Sequence, residues 1–249
     1  MISRADVVGT PDALTPSLRL RLYQLASQAL PIGGYSHSHG LEAAIEAGVV
    51  HDEGTLATWL ADLLQYSVGT YEAPLLVRLY ASWALPDASR IAALNAEFLA
   101  TRETAELRAA TVQMGYSLRL LLAQLPDIPS ATLAVLAGVT EPALPCAWAA
   151  VTAAWSVGAE EALLAYGWCW AENQVLVAVK TVPLGQSAGQ RVLGGLTPLL
   201  AARVQQVVAA QQSALGAPGA PPALLSNFSP ALAILSSRHE TQYSRLFRS

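Results

Sequence analysis

In residues 102 to 125, Leu107, Thr111, Met114, Leu118, Leu121 and Leu125 recur at intervals of 4, 3, 4, 3 and 4. That rhythm places all six on one face of a 3.6-residue helix and cannot be reconciled with the period of two that a half-buried strand requires. Pro126 closes the helix, and Arg102 and Glu106, four apart on its first turns, are expected to pair across its surface. Trp59, Leu60, Leu63 and Leu64 repeat the pattern after Asp52. Asp52 is the expected N-cap, with Thr55 as a second candidate, and His51 reads as a helix-start residue. Leu193, Leu196, Leu200, Val204, Val207 and Gln211 form a third stripe late in the chain.

Prolines 74, 86, 129, 142 and 145 punctuate the segments between these stripes, which divides the chain into about nine or ten helices joined by short turns. No stretch alternates long enough to build a sheet. The Val-rich run from Gln174 to Val182 has strand-like β-branched content, and it is read as the end of a helix starting near Ala159. The expected fold is therefore all-α, a single compact helical domain. With 53% hydrophobic and 13% charged residues, 249 residues can bury a substantial core.

The boundaries are a flexible lead at 1–17, the helical domain at 18–213, a Pro/Gly/Ala-rich connector at 214–230 and a tail at 231–249. Residues 214 to 222 cannot continue the preceding helix. From Arg238 onward no apolar period is present, so the tail is expected to be mobile until a partner orders it. On that reading it can be deleted without unfolding the protein.

Charge and composition narrow the function. A net charge of −4 argues against nucleic-acid binding. The uncharged run 142–159 is near the length of a membrane span but is mostly Ala, so it reads as a helix buried on all sides of a soluble core. Residues 1 to 17 hold Asp6 and Asp12 without an apolar centre, unlike a secretory signal. Cys146 and Cys169 sit in apolar surroundings and read as buried reduced thiols. Together these point to a cytoplasmic protein.

Catalytic motifs fail one after another. Gly185-Gln186-Ser187-Ala188-Gly189 fits the nucleophile-elbow pattern, but the only acid and histidine downstream are the neighbours Glu240 and His239, in the wrong order for a triad. Ser187 is instead a candidate N-cap. His239-Glu240 begins a zinc-protease motif that Tyr243 breaks. Lys180, the only lysine beside thirteen arginines, has no phosphate loop before it. His37 and His39 suit nickel by chemistry but are too few for a site, and hydrogen bonding is their expected role. Trp148, Trp155, Trp168 and Trp170 read as core and helix-contact residues rather than a ligand cage. No catalytic, metal or cofactor site is expected.

The most specified stretch is Leu30-Pro31-Ile32-Gly33-Gly34-Tyr35-Ser36-His37-Ser38-His39-Gly40-Leu41-Glu42, with three glycines and four consecutive Ser or His in what would otherwise be a surface connection. It resembles the signature of the urease accessory protein UreF family. Pro183 to Gln190, Thr101 to Gly115 and the run from Arg238 to Ser249 match the same family in the same order. The resemblance implies a helical homodimer that binds UreD (also called UreH) and the GTPase UreG, and so helps deliver nickel to apo-urease. It further implies that Arg238, His239, Glu240, Tyr243, Arg245, Phe247 and Arg248 contact partners, and that Gly33, Gly34, Tyr35, Ser36 and His37 form an ordered loop of the complex. Lys180, Gln186 and Gln190 are further candidates. A helical scaffold unrelated to urease is the alternative reading.

Overall fold

The computed structural model describes residues 3–8, 14–216 and 225–248. Among them there are helices and no strands. In chain order these are α1 (Arg4–Val8), α2 (Pro16–Leu25), α3 (Leu41–Glu46), α4 (Glu53–Leu63), α5 (Ala73–Ala84), α6 (Ala88–Ala100), α7 (Ala105–Leu122), α8 (Ser130–Ala137), α9 (Leu144–Ala154), α10 (Ala159–Thr181), α11 (Gln186–Gly216) and α12 (Pro230–His239). The all-α expectation holds. Helices α1 and α3 span 5 and 6 residues, too short for a hydrophobic period to announce them.

Local chemistry explains the main boundaries. Asp52 caps α4, its carboxylate accepting from Thr55 N–H at 2.8 Å while Thr55 Oγ1 accepts from Asp52 N–H at 3.0 Å, so both candidates act as one capping box. Thr104 caps α7 by accepting from Leu107 N–H at 3.1 Å. The Val-rich segment is helical, as the last turns of α10. Ser187 lies inside the first turn of α11, which begins at Gln186, so it is not the residue before the helix as an N-cap must be.

Pro74 does not break its helix. A π-helical segment, Leu64–Glu72, joins α4 to α5 without interruption. Pro74 has no N–H to give the carbonyl four residues back, and that carbonyl, Thr70 O, accepts from Ser226 N–H at 3.3 Å instead. Gly69 lets the widened turn close, because a Cβ there would stand 2.4 Å from Leu64 O.

The larger core surrounds α9, where Pro145 through Thr152 are all buried, as expected for a helix enclosed by α5, α7 and α10. Trp148 packs edge-on to Tyr166 at 5.4 Å between ring centroids and donates to Ala162 O. A second core joins α3, α4, α11, the C-terminal half of α10, and α12. By length and composition α11 is apolar enough to cross a membrane. Its stripe of Leu193, Leu196, Leu200, Val204, Val207 and Gln211 is nevertheless buried in this fold, with Gln211 accepting from the buried Arg78 at 2.9 Å.

Several expectations need correction. Arg102 pairs with Glu72 rather than Glu106, because α7 starts only at Ala105 and Arg102 lies before its cap. Of the four tryptophans read as core and helix contacts, Trp168 lies outside the core, 37% exposed. The lead is not featureless, since α1 packs against α5 and α11 and Arg4 pairs with Asp87 at 2.7 Å. Of the connector expected at 214–230, residues 214–216 continue α11 as helix, contrary to expectation, and 217–224 lie outside the described residues. The tail has a fixed seat in the fold, described next.

Candidate functional site

The Gly-rich loop and the C-terminal tail meet. Gly33 (φ 77°), His39 (φ 50°) and Gly40 (φ 82°) turn the chain through left-handed conformations around a 3-10 turn at Gly34–Ser36. Gly40 also permits contact with α12, since a Cβ there would lie 2.9 Å from Leu232 Cδ1. From α10, Asn173 Nδ2 donates to His37 O at 2.9 Å and Gln174 Nε2 to Ser38 O at 3.1 Å. From the tail, Arg248 N–H donates to Ser36 O at 2.9 Å.

Two carboxylates seat the tail. Glu42, in the first turn of α3, accepts from Leu246 N–H at 2.6 Å, Phe247 N–H at 3.0 Å and His239 Nε2 at 2.9 Å. Glu106, in the first turn of α7, faces His239 Nδ1 and Arg245 Nη1, each at 2.7 Å. His239 is fully buried between them, with each ring nitrogen within hydrogen-bonding distance of one carboxylate. Phe247 completes the second core, with Lys180 Nζ 5.7 Å from its ring centroid. Glu240 reaches the N-terminus of α7 and accepts from Ala105 N–H at 3.0 Å, a stabilising place for an anion.

This overturns the expectation of a mobile tail. Its anchors are single residues rather than a periodic face, so hydrophobic patterning could not find them. The structure thus unites Gly33, Gly34, Tyr35, Ser36 and His37 with His239, Arg245, Phe247, Arg248 and Lys180. Gln186 and Gln190 are exposed at the start of α11, and among the described residues no hydrogen bond ties them to loop or tail. Glu106, Asn173 and Gln174 escaped the sequence reading as site residues. Glu42 was in plain sight at the end of the loop motif.

On the outer face of this assembly Tyr35 is 57% and Leu246 65% exposed, and Tyr243 is fully so. Arg238, Glu240, Arg245 and Arg248 are exposed beside them. On the inner face burial and the nearby Arg248 cation lower the His37 pKa to about 4, and burial with His37 and Arg102 lowers that of His39 to about 3. Both imidazoles are thus neutral at neutral pH. Among the described residues no group of three or more His, Cys, Asp or Glu is placed to hold a metal ion. Ser187 is exposed while both nitrogens of His239 face carboxylates, so the two form no catalytic pair.

Under this site lies a mainly apolar cavity bounded by α2, the π segment, α7, α10 and the loop. Arg102 stacks on Phe98, 4.2 Å from its ring centroid, and donates to Glu72, which also accepts from Tyr166 Oη. Cys169 lines the cavity too, its thiol pushed up to about 12 by burial and by Glu172, so it is not a nucleophile.

The chain is similar to known proteins over most of its length. Residues 50–197 match the family model described as UreF. The chain is 53% identical over 232 residues to the urease accessory protein UreF of Azoarcus sp. (strain BH72), covering 92% of this chain and 95% of the relative. It is 50% identical over 230 residues to that of Dechloromonas aromatica (strain RCB), at 92% and 96% coverage. It is 47% identical over 237 residues to that of Cupriavidus pinatubonensis (strain JMP 134 / LMG 1197), at 95% and 100% coverage.

Proposed function

Since the chain belongs to the UreF family of urease accessory proteins, we propose that the face built by loop and tail is where it docks its maturation partners, UreD/UreH and the GTPase UreG. In this reading the protein performs no chemistry of its own. It acts as a cytoplasmic homodimeric chaperone component that assembles with both partners and regulates GTP-dependent delivery of nickel to apo-urease, nickel being the cargo.

The observation that carries the proposal is the pinning of two distant segments by Glu42. The hydrogen bonds hold Tyr35, Tyr243 and Leu246 outward on a seated backbone, among exposed arginines. Tyrosine and arginine are the residue types that dominate interface energetics, and presenting them on an ordered segment avoids about 1 to 2 kcal/mol of backbone entropy per residue on binding.

Reconstitution tests it. Apo-urease, UreD, UreG, GTP and nickel are combined with or without this chain, and urease activity and complex size are followed. The proposal expects activation and a complex with both partners only when the chain is present. Activation to the same level without it would refute the role.

A further inference from the structure

Three cations around the seated tail lack a counter-charge within the fold. Lys180 and Arg248 flank Phe247, the first with Nζ 5.7 Å from its ring centroid, the second as the next residue in the chain. Arg238 immediately precedes the buried His239. All three residues are exposed. Among the described residues none of them pairs with a carboxylate, whereas Arg4, Arg21, Arg102, Arg108, Arg191 and Arg245 each do. The carboxylates of the seat are already engaged, Glu42 by two amides and His239, Glu106 by His239 and Arg245, and Glu240 by the Ala105 amide.

Helix dipoles account for part of this. Lys180 and Arg238 stand in the last turns of α10 and α12, where a cation is favoured. Arg248 lies outside any helix, so no dipole explains it. Loop and tail, residues 30–42 and 238–248, expose three arginines and one carboxylate, Glu240, and Lys180 adds a fourth cation, on a chain whose net charge is −4. A local excess of positive charge on an acidic protein orients and accelerates the approach of an oppositely charged surface. Among these cations stand the exposed Tyr35, Tyr243 and Leu246, which need apolar recesses rather than charge.

On the reading that this face docks a maturation partner, we propose that the partner surface it fits is acidic, a set of Asp or Glu side chains around recesses for Tyr243 and Leu246. Guanidinium forks meet carboxylates in bidentate pairs, so Arg238 and Arg248 fix the orientation of the complex while the aromatic and aliphatic side chains hold it. A protein surface suits this face better than a polyanion, because phosphates running past it meet the net negative charge of the chain.

The test follows association and dissociation of the full-length protein with purified UreD/UreH and with UreG at about 0.05 M and about 0.5 M sodium chloride. With at least one partner, the association rate of the unaltered protein is expected to fall at least about ten-fold across that range. The double variant Arg238→Glu, Arg248→Glu should associate at least about ten-fold more slowly at low salt and lose the salt dependence. Tyr243→Ala should raise the dissociation rate and leave the salt dependence intact. An association rate indifferent to salt with both partners, or a double variant that associates like the unaltered protein, overturns the acidic partner. Tyr243→Ala then separates the two claims, since weakened binding keeps the docking face with an uncharged partner and unweakened binding removes the docking face as well. Binding to a mixed-sequence oligonucleotide or to phosphatidylserine vesicles as tight as to either protein would likewise overturn the proposal. If the double variant does not fold, the salt dependence of the unaltered protein decides alone.

Discussion

Glu42 and His239 lie 197 residues apart in the chain and meet at 2.9 Å, with His239 fully buried. The same carboxylate takes the amide protons of Leu246 and Phe247. One side chain of the loop motif therefore closes the polypeptide on itself, carrying three hydrogen bonds that no other described group replaces.

Removing it should be costly. Glu42→Ala strips His239 of one partner and leaves two amides unmet, an expected loss of about 3 kcal/mol in urea unfolding. Arg245→Ala breaks a contact to Glu106 at a half-exposed position and is expected to cost less than about 1 kcal/mol. Hydrogen exchange at the amides of 246 and 247 should accelerate strongly in the first variant and hardly in the second. Deletion of residues 238–249 should likewise destabilise the protein, since it removes His239 and Phe247 from the interior.

Acid should loosen the loop. His37 and His39 ionise near 6.5 when unfolded and only near 4 and 3 when folded. The unfolded chain thus binds more protons between these values, and stability falls as pH drops from about 6.5 towards 4. Each site contributes at most about 1.4 kcal/mol per pH unit. Thermal melts at pH 7 and pH 5 should show the loss, and His37→Asn should shallow the slope.

Gly40 is expected to tolerate no side chain. At φ 82°, with Leu232 2.9 Å from the position a Cβ would take, Gly40→Val combines backbone strain with displacement of α12, a cost of about 2 to 4 kcal/mol. A thermal midpoint unchanged from the parent protein would show that α12 does not depend on this contact.

Sequence reading reached the helices wherever a long, mostly apolar stripe kept one period, as in α7 and α11, and where a short polar pair such as Asp52 and Thr55 wrote a cap. It reached the loop because glycine, serine and histidine are dense there. It missed the seat of the tail, since His239, Arg245 and Phe247 act singly on partners more than 130 positions away. No local pattern records a contact of that range. Pro74 misled for a related reason, because Ser226, remote in sequence, takes over the carbonyl that proline leaves open.

The central claim is that the outward face of the seated tail binds the partners. Tyr243, Arg238 and Arg248 can be replaced together by alanine without touching a buried side chain, since all three are exposed and Arg248 holds Ser36 through its backbone. The decisive measurement is the dissociation constant of this triple variant for UreD and UreG, taken beside its thermal midpoint. The account predicts an unchanged midpoint with affinity weakened at least about 100-fold. Affinity within about three-fold of the parent protein, at the same midpoint, would contradict it.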